Sequence, residues 1–198
     1  MRYYLFLVLF LACSCKQSSP KIITTSETSL IPDILISAND TSLYLMHDTL
    51  LLNSITFSGY LYQLYPNKKD TLSIEGYSKG VLNGISKKFY AGNQPMEYRV
   101  YLCGAKNGKQ VSYWQNGNKR FEFNAKNDAY EGEFKEWSEN GRLFHLAHFK
   151  NGQEEGVQKL WYDNGKLKAN YVIRNGKRYG LLGTKNCTNV SDSIFIIK

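Results

Sequence analysis

The residues of this chain whose types could do chemistry are three histidines and a run of glutamates. His145 and His148 stand three apart in a stretch of alternating apolar residues, and His47 lies far upstream of them. On a β-strand, positions three apart face opposite sides, so His145 and His148 cannot both reach one metal ion without distortion. Packed or solvated imidazoles are the expectation for all three. Glu131, Glu133, Glu136, Glu154 and Glu155 could form a general acid and base pair. They have lysines close by in the sequence and are expected to balance them on a solvated face. There is no Gly-x-Ser-x-Gly elbow, no paired acidic signature and no Gly-rich loop opening a helix. The expectation is therefore a protein without catalytic residues, without a metal and without a cofactor.

The cysteines carry a different chemistry. Met1 and Arg2 precede an unbroken apolar stretch from Tyr3 to Leu11, which has the form of a secretory signal and is too short to span a bilayer. The following Leu11-Ala12-Cys13-Ser14-Cys15 resembles a bacterial lipobox, in which a cysteine becomes the acylated first residue. Cys13, preceded by Ala12, is the expected lipidation site, with Cys15 the alternative. Acyl chains bury about 0.8 kcal/mol per methylene, so several would anchor the protein to a membrane of the cell envelope, outer or periplasm-facing. Export also permits disulfides, and whether Cys103 and Cys187 pair is left open by the sequence.

The elements that must position any site are set by a comb of glycines. Gly84, Gly108, Gly132, Gly156 and Gly180 recur every 24 residues, with Gly59 one residue out of step before them. Gly104, Gly152 and Gly176 each follow a comb glycine by 20 residues, with Asp128 in the equivalent place of the third unit. Asn116-Gly117, Asn140-Gly141 and Asn164-Gly165 form a third series, with Gly92-Asn93 in reversed order. Self-similarity at this period marks a repeat architecture. Period-two apolar alternation, as in Leu167, Ala169, Tyr171 and Ile173, marks strands with one buried face, and Leu143, Ala147 and Phe149 match them one unit earlier. The Asn-Gly pairs predict type I′ hairpin turns, the twentieth-place glycines predict turns of the same kind, and the comb glycines are expected as joints between hairpins.

The predicted fold is thus all-β: an elongated antiparallel sheet of repeated β-hairpins, about five 24-residue units. Residues 1–15 are the signal and lipobox, 16–42 a flexible tether, 43–58 an N-terminal β cap, 59–183 the repeat array and 184–198 a C-terminal strand whose Ile194-Phe195-Ile196-Ile197 closes the sheet edge. The first unit is one residue longer than the rest, an excess placed between Asn67 and Gly80 and assigned to a β-bulge.

Each first strand ends in bulky side chains. The fifth place after the comb glycine holds Leu64, Phe89, Tyr113, Trp137 and Trp161, and the sixth holds Tyr65, Tyr90, Trp114, Ser138 and Tyr162. The fifth-place rings are expected to form a packing spine. The opposite parity, with Tyr90, Trp114 and Tyr162, is then the candidate partner-binding strip. The net charge of +8 suits anionic headgroups, an acidic partner or plain solubility. Nucleic acid is an unexpected partner for an exported chain.

The run Gly156-Val157-Gln158-Lys159-Leu160-Trp161-Tyr162-Asp163-Asn164-Gly165-Lys166-Leu167, followed by Tyr171 and Asn175-Gly176-Lys177, resembles the bacterial variant of the MORN repeat. The resemblance covers Gly59 to Gly180, with Asp128, Gly92-Asn93 and Pro66-Asn67-Lys68 departing from the pattern. Chains of this kind are grouped as YwqK-type antitoxins. The resemblance implies a non-enzymatic binding role toward an unknown protein partner, with a toxin as the alternative partner.

Overall fold

The computed structural model describes residues 31–183, and these are all β, with no helix among them. Cys13, Cys15, Cys187 and the Ile194–Ile197 run lie outside the described residues. A short strand β1 (Leu35–Ser37) is followed by a small antiparallel sheet of β2 (Leu43–Met46), β3 (Thr49–Leu52) and β4 (Ile55–Thr56). The long sheet then begins with β5 (Gly59–Leu64), β6 (Thr71–Ser78), β7 (Val81–Phe89), β8 (Pro95–Leu102) and a two-residue β9 (Ala105–Lys106). It continues through β10 (Gly108–Tyr113), β11 (Lys119–Lys126), β12 (Ala129–Trp137), β13 (Leu143–Lys150), β14 (Gln153–Trp161), β15 (Leu167–Arg174) and β16 (Lys177–Leu181). Neighbours in sequence are neighbours in space, so the array is an antiparallel meander in which each hairpin leans on the next.

The tether expected over 16–42 contains one ordered strand. β1 pairs parallel to β5, with Leu35 opposite Tyr60, and Tyr60 N donates to Ile34 O at 2.6 Å. The apolar run Ile34-Leu35-Ile36 thereby occupies the first edge of the sheet, where an open row of backbone groups would otherwise face solvent.

The comb glycines are not at the joints between hairpins. Gly84, Gly132 and Gly156 lie inside β7, β12 and β14 with φ of 71°, 75° and 78°, each beside a break in register. On β12, Phe134 opposes Phe123 but Glu131 opposes Asn124, so Gly132 and Glu133 form a bulge. A bulged residue in the left-handed region is most cheaply a glycine, which is why the period of the comb is the period of the bulge.

Of the two turn series expected to be type I′, the Asn-Gly series at the ninth place is of another type. At Asn116-Gly117, Asn140-Gly141 and Asn164-Gly165 only the glycine has positive φ, at 87°, 80° and 79°. Gly117 N donates to Trp114 O and Gly141 N to Ser138 O, both at 2.9 Å, the pattern of a type I turn closed by a left-handed glycine. Each Asn instead uses its side chain, Asn116 Oδ1 accepting from Asn118 N, Asn140 Oδ1 from Arg142 N and Asn164 Oδ1 from Lys166 N. The type I′ turns are those of the twentieth place, where both residues are left-handed: Cys103-Gly104, Asn127-Asp128, Asn151-Gly152 and Asn175-Gly176. Asp128 replaces glycine there because its carboxylate has a task, accepting Lys106 N at 2.9 Å from the preceding hairpin.

The extra residue of the first unit lies within the predicted interval, but in the turn. Tyr65 N reaches Asp70 O, whereas Tyr90 N reaches Gln94 O, so the loop is lengthened and the strands keep their pairing.

The core of a single-layer sheet is thin. Leu50, Leu51 and Phe57 are buried at the cap, and Val111, Phe123, Ala125, Ala147, Ala169, Tyr171 and Ile173 along the array. Ala169, Tyr171 and Ile173 are three of the four residues of the alternation read from β15, with Leu160 packed against them. Two glutamines, Gln110 and Gln158, are wholly buried two places after a comb glycine. Gln110 Nε2 donates to Val100 O at 2.9 Å and Gln158 Nε2 to His148 O at 2.8 Å, so each amide serves a carbonyl beside its bulge.

Candidate interaction surface

The sixth-place rings form a ladder along the type I turn side of the sheet. Tyr65 Oη donates to Phe89 O at 2.9 Å, Tyr90 Oη to Tyr113 O at 3.0 Å and Trp114 Nε1 to Trp137 O at 2.9 Å. Each ring thus crosses to the hairpin one repeat ahead and bonds the carbonyl of the fifth-place residue there. Tyr90 and Trp114, two members of the expected partner-binding strip, are half-buried and engaged within the molecule. Tyr162, the third, is 38% exposed, with Lys168 Nζ 5.6 Å from its ring centre. In the fourth unit Ser138 holds the ring position, and its Oγ turns back to Asn140 Oδ1 at 2.6 Å and Arg142 O at 3.1 Å.

The fifth-place residues Phe89, Tyr113, Trp137 and Trp161 are half-buried, and the ring contacts of the sheet form elsewhere. Apart from the pair Phe57–Tyr77 at 6.2 Å beside the cap, the packed rings are Phe121 and Phe123 on β11, Tyr130 and Phe134 on β12, and Phe149 on β13. Phe123 is the buried ring at their hub, 4.7 Å from Tyr130 and 5.8 Å from both Phe121 and Phe134, and Phe134 beside it meets four rings, those of Phe123, Tyr130, His145 and Phe149. Tyr130 is 5.0 Å from Phe149, and the His145 ring stands edge-on to Phe134 at 5.3 Å. Arg99 lies over Phe121 at 4.9 Å and is held by Glu97 at 3.2 Å. Phe123 is buried, but Tyr130 remains 38% exposed and Phe121, Phe134 and Phe149 are half-buried. The result is an aromatic patch bounded by the pairs Arg99–Glu97 and His145–Glu136, a composition suited to binding.

This patch was not singled out from sequence, although Phe121, Phe123 and Ala125 alternate with period two along β11 and could have been found by that signal. The places two after the comb glycine hold Ser86, Gln110, Phe134 and Gln158, so no repeat consensus points to Phe134.

The histidines and glutamates are dispersed. His145 Nδ1 is 2.8 Å from Glu136 Oε2, whereas His148 Nδ1 meets Val157 O at 3.2 Å and its Nε2 is 4.0 Å from Glu133. His47 is an exposed turn residue of the cap with φ of 46°. Glu131 accepts from Asn151 N at 2.9 Å, Glu133 pairs with Lys135, and Glu154 pairs with Arg178 at 3.2 Å. Among the described residues no three His, Cys, Asp or Glu side chains cluster as metal ligands. Cys103 is an exposed free thiol at a type I′ turn.

One charge cluster makes a pH prediction. The Lys119 ammonium, bonded to the Glu122 carboxylate, holds that carboxyl below its ordinary value, and Lys109 adds to the effect from 3.1 Å. A carboxylate with a lowered folded-state pKa adds stability that is present above the ordinary value of 4.5 and is lost as pH falls through the folded value. Wild type is expected to exceed Glu122→Gln by at most about 1 kcal/mol at neutral pH. Melting curves from pH 7 downward should show that difference closing below pH 4.5.

A family model described as the MORN repeat variant matches residues 106–127, 130–151 and 154–171. These are the third, fourth and fifth units, and the same hairpin geometry runs back to Gly59. No curated protein matches the chain. MORN repeats are generally protein or membrane interaction modules.

Proposed function

We propose that the repeat sheet is a non-enzymatic protein-interaction surface carried on a lipid anchor at the bacterial cell envelope. The observation that carries the interaction reading is the half-open aromatic patch, in which Tyr130 is left 38% exposed beside the buried Phe123. A single-layer sheet spends its rings on its own stability only where neighbouring strands cover them, and Tyr130 offers an aromatic face and a phenol beyond that need. The lipid anchor is supported by the Leu11-Ala12-Cys13-Ser14-Cys15 sequence, with Cys13 as the acylated residue and Cys15 as the alternative.

Two measurements test this. Cross-linking of the full-length chain in envelope fractions should capture a partner, and Tyr130→Lys should lose it at a temperature where melting curves show the variant still folded, since the substitution also breaks the ring contacts with Phe123, Phe134 and Phe149. Retention of the same partner by Tyr130→Lys would remove the patch from the binding reading. Suppression of a captured toxin's activity would identify the role as that of an antitoxin. Separately, the double variant Cys13→Ser, Cys15→Ser should incorporate no labelled palmitate, and persistent labelling would refute the anchor.

A further inference from the structure

The aromatic patch occupies one face of the sheet, and register defines what stands on the other. Pairing carries a single row from Lys87 on β7 through Tyr98, Val111 and Glu122 to Lys135 on β12, and on through Leu146 to Lys159 on β14. Residues two apart on a strand share a face, so Phe89, Trp137 and Trp161 stand beside Lys87, Lys135 and Lys159. One lysine and one ring thus recur in three of four successive units. In the unit where Val111 replaces the lysine beside Tyr113, Lys109 and Lys119 reach this face and bond Glu122.

The charge of this face is one-sided. Lys87, Lys109, Lys119, Lys135 and Lys159 stand against Glu122 and Glu133, each of which is already bonded to lysine. Lys87 and Lys159 have no carboxylate partner among the described residues. Glu136 and Glu154 lie on the patch face, opposite Phe121 and Phe149. A groove on the lysine face is lined by Lys87, Phe89, Tyr98, Lys109, Tyr113 and Lys119, among others. Its volume of about 580 Å³ is no larger than that of the groove beside Ser138. Its charge sets it apart: four lysines line it, Lys88 being the fourth, whereas the grooves at Arg142, Lys68 and Arg174 have one cation each.

Going beyond the protein-interaction reading, we infer that this face binds a linear acidic polysaccharide whose chain crosses the strands along the lysine row. The argument is one of period and charge. Strands lie about 4.8 Å apart, so Lys135 and Lys159 are two spacings or about 10 Å apart, and Lys87 and Lys159 are six spacings or about 29 Å apart. A ladder that offers a cation and a ring at each step fits a polymer that repeats an anion and a C–H face. Two linked sugars in an extended polyuronate advance the chain by a distance comparable to one repeat, and their C–H faces stack on aromatic rings. The lysine ammonium is a compact charge with rotatable donors, suited to single carboxylates approached from solvent. Phe89, Tyr98 and Tyr113 are half-buried walls of a groove, which favours a chain laid into it over a flat bilayer that needs projecting rings. The choice of a saccharide over a nucleic acid rests on the export read from residues 1–15.

The test titrates the full-length chain in nonionic detergent micelles with octagalacturonate at about 0.15 M salt. Saturable binding is expected, with a change in the emission of Trp137 and Trp161. The fully methyl-esterified oligomer, the same chain without its charges, should bind roughly tenfold more weakly, and added salt should weaken the acid form alone. Lys87→Gln combined with Lys159→Gln should weaken binding roughly threefold to thirtyfold. Lys87→Gln alone, at an exposed position, makes the test with roughly a twofold to fivefold loss if the double variant does not fold. No saturable binding, binding undiminished in the lysine variants, or binding with unchanged emission overturns the inference. Equal or tighter binding of oligodeoxythymidylate would assign the face to nucleic acid, and of phosphatidylglycerol vesicles to the membrane, and either result overturns the polysaccharide. Tyr130→Lys should keep the oligomer while losing the envelope partner, so failure of either reading leaves the other in place.

Discussion

Phe123→Ala is expected to lower the unfolding free energy by about 3–5 kcal/mol, measured by urea denaturation of the protein. The ring is only 8% exposed, although it lies in a single-layer sheet, because its neighbours are rings instead of a second layer. Tyr130 at 4.7 Å and Phe121 and Phe134 at 5.8 Å surround it, and Arg99 sits 5.9 Å over its face. Removing it breaks three ring pairs, each contributing about 0.5–1.5 kcal/mol beyond area burial. The strands beneath cannot close the gap. β11 is hydrogen-bonded to β10 and β12 on its two sides, and Gln110 and Phe134 are fixed opposite Phe123 by register. Phe121→Ala removes a half-buried ring that touches the hub from one side and should cost about 1–2 kcal/mol. Equal losses for the two variants would show that the patch has no hub. Because each repeat contacts its neighbours alone, the loss should concentrate in β10–β13 and leave the amide protection of the cap unchanged.

The contrast between the hub and the expected spine shows which parts of this molecule could be read from its sequence. Repeat period, hairpin order and strand parity follow from local rules, and Ala169, Tyr171 and Ile173 are buried as their alternation requires. Turn type was harder, because two unlike turns use similar residues. Asn140-Gly141 and Asn151-Gly152 are the same dipeptide, yet Asn140 keeps negative φ and spends its side chain on Arg142 N, while Asn151 is left-handed at 50°. What separates them is the number of residues each strand pair must skip, a property of register. The comb glycine was visible as a period and misplaced as a joint for the same reason, since a bulge is defined by the strand opposite. The ladder from Tyr90 to Tyr113 O spans 23 residues and exists only once both hairpins are in place. Its rings read as a recognition strip because they stand at the parity opposite to the fifth-place rings expected to form the spine. Conversely, the aromatic patch arises where units differ, Phe134 standing where Gln110 and Gln158 stand in its neighbours.

Gly80→Ala should detach the cap from the array and cost about 2–4 kcal/mol. Gly80 has φ of 80° in the turn between β6 and β7, following Lys79 at 52°, so an added side chain carries about 1–2 kcal/mol of left-handed strain. The position is also crowded. A Cβ there would overlap the Thr49 Cγ2 methyl and stand 2.8 Å from Leu50 O, which is backbone and cannot rotate away. The same residue holds two hydrogen bonds across the junction, its N donating to Phe57 O at 2.7 Å and its O accepting from Leu50 N at 2.8 Å. Relieving the overlap must lengthen them and open the packing of Leu50, Leu51 and Phe57, which are the buried side chains of the cap. Hydrogen exchange on the variant should therefore show the Leu50 and Gly80 amides unprotected while those of β11 and β12 keep their wild-type rates. Gly176→Ala is the control: φ is 71° and nothing lies within 4 Å of the added Cβ, so strain alone applies, at about 1–2 kcal/mol, and the cap should be untouched. If the two variants lose equal stability, or if the cap amides stay protected in Gly80→Ala, Gly80 is an ordinary turn glycine and the junction is held elsewhere.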